Sequence, residues 1–224
     1  MPLLTVRVAA SGHTRLCRFG AATRGRYPRQ TKKAIVIAPP RNSDSDEIHT
    51  VTVRAKGREY TTDIGAWVNA EAAWSPDSKA FFVTYSDGGN VGTYHVEIFY
   101  VESTGLRIVE PVPSGEKLLV PTCYGGTETP NVGAIKWMGK DASRLLIAVE
   151  VPPHSSCASM GTFKAFEIAI PDGSVLASYG QLQAKKRFRQ ELGAELLGAN
   201  DVCVQKPEEC DPPGLELPNP KDQK

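Results

Sequence analysis

The sequence lacks the long apolar run that a membrane-spanning helix requires. A span needs roughly 20 consecutive apolar residues, whereas the longer runs in this 224-residue chain, such as 145–151, fit a buried strand. The sequence also has no G-x-S-x-G, no Gly-Lys-Ser/Thr and no C-x-x-C pair. These absences exclude the common signatures of a hydrolase nucleophile, a phosphate-binding loop and a paired-cysteine zinc site, so no catalytic residue and no cofactor is predicted.

Acidic residues are absent from the first 43 positions, which contain nine lysines and arginines. The whole chain has a net charge of +1, so the remaining residues sum to −8. A basic segment without acids is typical of a tail for nucleic acid or anionic surfaces, or of an organellar transit peptide. We interpret residues 1–32 as a disordered basic extension, and Met1 need not be the natural start.

Cysteine is scarce, and four of the five cysteines lie in connector sequence rich in proline or glycine. These four are Cys123, Cys157, Cys203 and Cys210. Such placement is typical of disulfides in an oxidising compartment, so we expect two bridges and an extracytoplasmic, periplasmic or secreted protein. Of the three pairings that four cysteines allow, we favour Cys123–Cys157 with Cys203–Cys210. The alternative is four free thiols in a cytoplasmic protein, which the lack of a normal secretory signal favours.

Short apolar segments separated by turn residues dominate the domain that we expect at 33–180, and they are typical of antiparallel strands. Strands are predicted at 33–38, 48–54, 58–64, 80–85, 93–101, 106–110, 144–151, 162–170 and 174–179.

The stretch 181–199 changes to helical spacing. The predicted apolar stripe consists of Leu182, Phe188, Leu192 and Leu196. We expect one amphipathic helix packed on the sheets, followed by an irregular, proline-rich tail over 200–224.

One unit recurs along the sheets: a tryptophan, a polar turn, an apolar strand, a second strand and a glycine turn. The clear copy starts at Trp74 and continues Ser-Pro-Asp-Ser-Lys-Ala-Phe-Phe-Val, and a weaker copy starts near Trp137. The first copy resembles the repeat of TolB-like β-propellers, in which Trp-Ser-Pro-Asp-Gly-Lys opens a blade; Ser78 stands at the glycine position. The resemblance covers 72–112 well and 134–180 weakly, and it implies four-stranded antiparallel blades.

We therefore predict a mainly β protein of about three antiparallel propeller-like blades with one C-terminal amphipathic helix. Closed propellers usually need about 4–8 blades, so three units imply an incomplete or open propeller. The chain can be a fragment or naturally short, a homo-oligomer can complete the ring, or the sheets can stack as an open array. An open array leaves sheet edges that need covering, and the C-terminal helix is a candidate cover.

The loops 111–133 and 152–161 depart most from the repeat, and loops on a rigid β frame are where recognition usually occurs. We therefore predict a non-enzymatic binding or scaffolding protein whose partner is a protein, a peptide or a carbohydrate. The candidate contact residues are Tyr124, Glu128, Asn131, His154, Ser155 and Ser156.

Two other functions remain open. His154 and its neighbouring serines suggest a hydrolase, although adjacency in sequence is not the geometry of a catalytic triad. The basic segment 24–33 suggests nucleic-acid binding through the N-terminal tail, which the lack of a recognisable nucleic-acid fold disfavours. His154 and Cys157 are spaced to share a metal, but no further ligand pair follows, so no metal site is predicted.

Overall fold

The computed structural model describes residues 7–8, 34–38, 48–55, 58–67, 69–86, 93–109, 112–119, 128–157, 159–170, 172–199 and 201–205. Within these residues the protein is mainly β, as the sequence predicted: its strands form three sheets, and its helices are few and short. None of the helices in this described part is long and apolar enough to cross a bilayer.

The first sheet has the strand order β1-β2-β3-β4. Its strands are β1 (Arg7–Val8), β2 (Ala34–Ala38), β3 (Ile48–Ala55) and β4 (Arg58–Trp67). β2 to β4 form an antiparallel meander, and β1 pairs in parallel with β2. β1 lies within the segment that the sequence predicted to be disordered. Two residues are too few to show a strand period, so only the pairing with β2 defines this strand.

The second and third sheets are antiparallel meanders in which the strands lie side by side in chain order. The second sheet contains β5 (Asn69–Trp74), β6 (Ala80–Ser86), β7 (Tyr94–Val101) and β8 (Leu106–Val109). The third contains β9 (Asn131–Trp137), β10 (Arg144–Glu150), β11 (Phe163–Ala169) and β12 (Val175–Gly180). Each of these sheets has the four antiparallel strands that the repeat implied. That the three sheets are the blades of a propeller stays a prediction.

The first and second sheets share a buried cluster, because side chains that alternate along a strand point to opposite faces. Phe81 and Phe99 stack with ring centroids 4.8 Å apart and planes 2° from parallel. Their cluster also contains Val51 and Val53 of β3, all four side chains being fully buried. This face of the second sheet therefore packs on the first.

The second and third sheets share the next cluster. Phe82 and Ile98 project from the opposite face of the second sheet and lie with Leu145, Ile147 and Phe166 of the third. The second sheet is thus covered on both faces, which explains why β6 is buried at almost every position and not only at alternate ones.

The turn after Trp74 is held by its own polar side chains. Ser75 N–H donates to the carbonyl of Ala80 (2.8 Å), and the Ser75 hydroxyl accepts from Ala80 N–H (3.0 Å) and donates to Asp77 Oδ1 (2.7 Å). Ser78 has φ +58°, a left-handed conformation that favours glycine. The turn therefore requires a left-handed backbone conformation at position 78, where the TolB-like repeat has glycine, and Ser78 adopts this conformation.

The two tryptophans hold matching positions. Trp74 ends β5 and belongs to the cluster shared with the first sheet, and its ring centroid lies 5.2 Å from that of Phe81. Trp137 ends β9, and its ring centroid lies 5.9 Å from that of Phe82 in the second sheet; its indole N–H donates to the Ala73 carbonyl of the second sheet (3.1 Å). Each tryptophan thus packs its own sheet against the preceding one.

The prediction of a single helix over 181–199 is wrong. The structure has α2 (Gln181–Arg187) and α3 (Ala194–Gly198), after a short α1 (Gly115–Leu118) and before α4 (Val202–Gln205). α2 ends where Phe188 leaves helical geometry at φ −118°, ψ 28°, and α3 begins after the extended Gly193.

The predicted apolar stripe is correct except at one position. Phe188, Leu192 and Leu196 are buried on the outer face of the third sheet, but Leu182 is 43% exposed. Ala184 takes the buried place because it lies four residues before Phe188, about one helical turn, whereas Leu182 lies two residues before Ala184, about 200° away around a helix of 3.6 residues per turn.

Candidate functional site

Strand connections of the second and third sheets fall at two opposite ends. Short turns occupy the end at which Tyr100 donates its hydroxyl to the Ala142 carbonyl (3.4 Å). The longer connections leave the other end, where Tyr94 at the start of β7 contacts Asn131 at the start of β9. We call this second end the loop end. It holds the described parts of both loops that the sequence singled out, 112–119 and 128–133 of the loop 111–133, and 152–157 and 159–161 of the loop 152–161.

Glu128 joins these two loops. Its Oε1 accepts hydrogen bonds from the backbone N–H (3.3 Å) and the hydroxyl (3.0 Å) of Ser156. Its Oε2 is buried and has no hydrogen-bond partner within the described part of the chain. Two of the six candidate residues therefore meet, although 28 residues separate them in sequence.

Asn131 lies beneath the loops and not on their surface. Its side chain is fully buried; Oδ1 accepts from Tyr94 N–H (3.2 Å) and Nδ2 donates to Glu150 Oε2 (3.0 Å). Close by, the buried Thr84 hydroxyl accepts from Ala134 N–H (2.9 Å). These bonds join the second sheet to the third, so Asn131 fixes the frame from which both loops project.

Thr84 and Glu150 also belong to this polar set, although neither was a candidate from the sequence. Each directly follows an apolar run, 80–83 for Thr84 and 145–149 for Glu150, and their side chains are 0% and 1% exposed. A polar residue at the end of a buried apolar run was the available signal, since a polar side chain in a buried strand needs a hydrogen-bond partner.

His154 is exposed at the tip of its loop, and the serines beside it help to shape the turn. The Ser155 hydroxyl donates to the Pro152 carbonyl (2.6 Å) and accepts from Cys157 N–H (3.4 Å). Among the described residues, no hydrogen bond joins His154 to a serine or to a carboxylate. The hydrolase hypothesis stays a prediction.

Cys157 lies at the base of the same loop. Its side chain is 1% exposed and packs with Val151 and Leu119, so it lies where the two loops meet the sheets. It is the one cysteine whose side chain the structure describes, since Cys123, Cys210 and the side chain of Cys203 lie outside the described residues. Both pairings therefore stay predictions.

The structure describes little of the remaining candidate positions. Tyr124 lies outside the described residues, as do the basic segment 24–33 and most of the proposed disordered extension. Within the described ranges, no group of three or more His, Cys, Asp or Glu side chains is arranged to hold a metal ion.

Comparisons with known proteins assign no family. No protein-family model matches the chain, and no curated protein matches it. One solved structure that shows a likeness is described as Tne2 in complex with Tni2, with a TM-score of 0.38 and 7% identity over 60% of this chain and 78% of that chain. A likeness of that size carries no argument about this protein.

Proposed function

We propose that this protein is a non-enzymatic binding or scaffolding module whose partner contacts the two loops of the loop end. The observation that supports this most directly is the Glu128–Ser156 bridge, because it makes two separate loops into one surface. That surface rests on a frame held by the buried Asn131 and Thr84, and a rigid β frame with shaped loops is the usual arrangement of a recognition site.

The exposed side chains of this surface fit a protein or peptide partner. His154 is exposed, and Met160 is 44% exposed at the loop end. A flexible thioether adapts to irregular apolar surfaces, and an imidazole can donate or accept a hydrogen bond. Because four of the five cysteines lie in connector sequence, a placement typical of disulfides, we also propose that the protein works outside the cytoplasm.

We further propose that the three sheets are propeller-like blades of the TolB-like kind. The matching positions of Trp74 and Trp137, each fastened to the preceding sheet, support a repeated unit. Light scattering of the purified chain tests whether copies associate to complete a ring, and a monomer at all concentrations would leave the open array.

The binding proposal is tested by variants at the two ends of the sheets. His154→Asp and Met160→Glu change the loop end, whereas Lys140→Glu and Asp172→Lys change exposed residues in turns at the opposite end. The partner is identified by mass spectrometry after capture on immobilised protein, purified, and titrated against each variant by calorimetry.

The loop-end variants are expected to weaken the partner's affinity at least about tenfold, because a few central contacts dominate most interfaces. Lys140→Glu and Asp172→Lys, at the opposite end, should leave the partner's affinity within about twofold of that of the unchanged protein. The reverse pattern, or equal affinity for all four variants, would show that the loops are not the binding surface.

A further inference from the structure

β12 is an open edge of the third sheet. Among the described residues it pairs with β11 alone, and it contains neither proline nor a charged residue, two of the features that block an open edge; a third such feature, a β-bulge, affects only the first part of the strand. Val175 and Leu176 are 47% and 51% exposed. The register with β11 skips Leu176, which marks a β-bulge, so residues 177–180 form the regular part of the edge.

An arginine lies beside this edge without an acidic partner among the described residues. The Arg187 guanidinium carbon lies 5.0 Å from the ring centroid of Tyr179, a residue of β12, and 5.5 Å from that of Phe188. Arg187, Lys186 and Arg189 are exposed, and none forms an ion pair with a described residue. The cation–π contacts hold the guanidinium of Arg187 in place while its edge N–H groups stay available.

We propose that the edge of β12 docks an extended segment of an acidic partner protein by strand addition. The backbone of residues 177–180 supplies the hydrogen bonds, Val175 and Leu176 contact apolar side chains of the added strand, and Arg187 binds one of its carboxylates. The partner is expected to be acidic, because Arg187 lies beside a strand that has no charge of its own, and the exposed Lys186 and Arg189 are close to it in the chain.

A peptide fits this surface better than a nucleic acid does. Binding of single-stranded nucleic acid uses aromatic faces on which bases stack, but Tyr179 is buried at 6% exposure and Arg187 covers its ring. The exposed valine and leucine instead match the alternating apolar side chains of an added strand. No residue of this surface belongs to the loops of the proposed function, so each proposal can fail alone.

The test uses the whole chain and a defined probe, a fluorescein-labelled ten-residue peptide of alternating valine and glutamate. Fluorescence anisotropy measures its affinity, and backbone hydrogen exchange locates its site. We expect Arg187→Glu and Arg187→Gln to weaken binding, the former about tenfold or more, while Lys140→Glu at the far end changes it by no more than about twofold. Amide protons within 177–180 should gain protection.

A second peptide with the same side chains but N-methylated at alternate residues keeps the charge and loses the edge hydrogen bonds. Its failure to bind supports strand addition, whereas equal binding of both peptides overturns it. Equal affinity of the two Arg187 variants and the unchanged chain, protection elsewhere in the chain, or no binding at millimolar protein overturns the proposal as well. If a single-stranded oligonucleotide binds instead with the same dependence on Arg187, the surface is a nucleic-acid site and the peptide proposal is wrong.

Discussion

Replacing Asn131 with leucine tests whether the frame beneath the loops depends on buried polar contacts. The substitution keeps the size of the side chain but removes the acceptor of Tyr94 N–H and a donor to Glu150 Oε2. Both bonds are fully buried, so water cannot replace the lost partner.

The expected cost follows from the two bonds. A buried N–H without its acceptor costs about 1–3 kcal/mol, and loss of a hydrogen bond to a charged group costs about 1.5–3 kcal/mol. Because such terms are not fully additive, we expect Asn131→Leu to lower the free energy of unfolding by about 2–5 kcal/mol. With a urea dependence of about 2 kcal/mol/M, the urea midpoint should fall by about 1–2.5 M.

Urea unfolding followed by tryptophan fluorescence measures this shift. Asn131→Asp is the matched control: it keeps an acceptor for Tyr94 N–H but turns a carboxylate oxygen toward Glu150. It should be destabilised at pH 7 and recover part of its stability at acid pH, where protonation removes the repulsion. A leucine variant within about 0.3 M of the unchanged midpoint would refute the reasoning, since it corresponds to less than about 1 kcal/mol.

Three further outcomes are expected. Ser78→Gly should raise the free energy of unfolding by about 0.5 kcal/mol. Relief of the left-handed φ (about 1–2 kcal/mol) exceeds the cost of the extra conformational entropy that glycine has in the unfolded chain (about 0.5–1 kcal/mol). A lower melting temperature would contradict this prediction. Trp137→Phe should lower the free energy of unfolding by about 2 kcal/mol through lost packing and the lost bond to the Ala73 carbonyl, and an unchanged urea midpoint would contradict it. Burial raises the pKa of Asp201, but hydrogen bonds from Lys185 and Gln181 and the charge of Lys185 outweigh it, so the pKa lies below its ordinary value of 3.8. The stability that this lowered pKa contributes is present above pH 3.8 and is lost as the pH falls through the folded-state pKa. Asp201→Asn should therefore reduce the urea midpoint more at pH 6 than at pH 2, and an equal reduction at both pH values would exclude the ionic contribution.

The sequence was sufficient to predict the strands in which apolar and polar residues alternate and the strands that are strongly apolar. The predicted strand at 80–85 differs from β6 by one residue, because β-branched and aromatic side chains fill it. β5 and β9 were not recognised as full strands. Their Asn-Ala-Glu-Ala-Ala and Asn-Val-Gly-Ala cores contain small residues with weak strand preference, and pairing with β6 and β10 decides their conformation.

The sequence indicated where the longer connections lie but not the role of each residue. Irregular sequence between repeats marked both loops, although β9 begins at Asn131, inside the predicted loop 111–133. Whether Asn131 points outward or inward, however, depends on the approach of Tyr94, 37 residues away in the chain. Sequence spacing contains no information on that approach. The same applies to the Glu128–Ser156 bridge, which forms only when two different turns are folded.

The layered packing has a consequence for how the protein unfolds. The interior between neighbouring sheets is shared: the cluster around the Phe81–Phe99 stack joins the second sheet to the first, and the cluster that contains Phe82 joins the second sheet to the third. In repeat proteins such shared interfaces, and not the single units, supply most of the cooperativity. Unfolding of one sheet therefore exposes aromatic side chains of the neighbouring sheet to water. A substitution that destabilises the first or third sheet is expected to destabilise the second sheet as well.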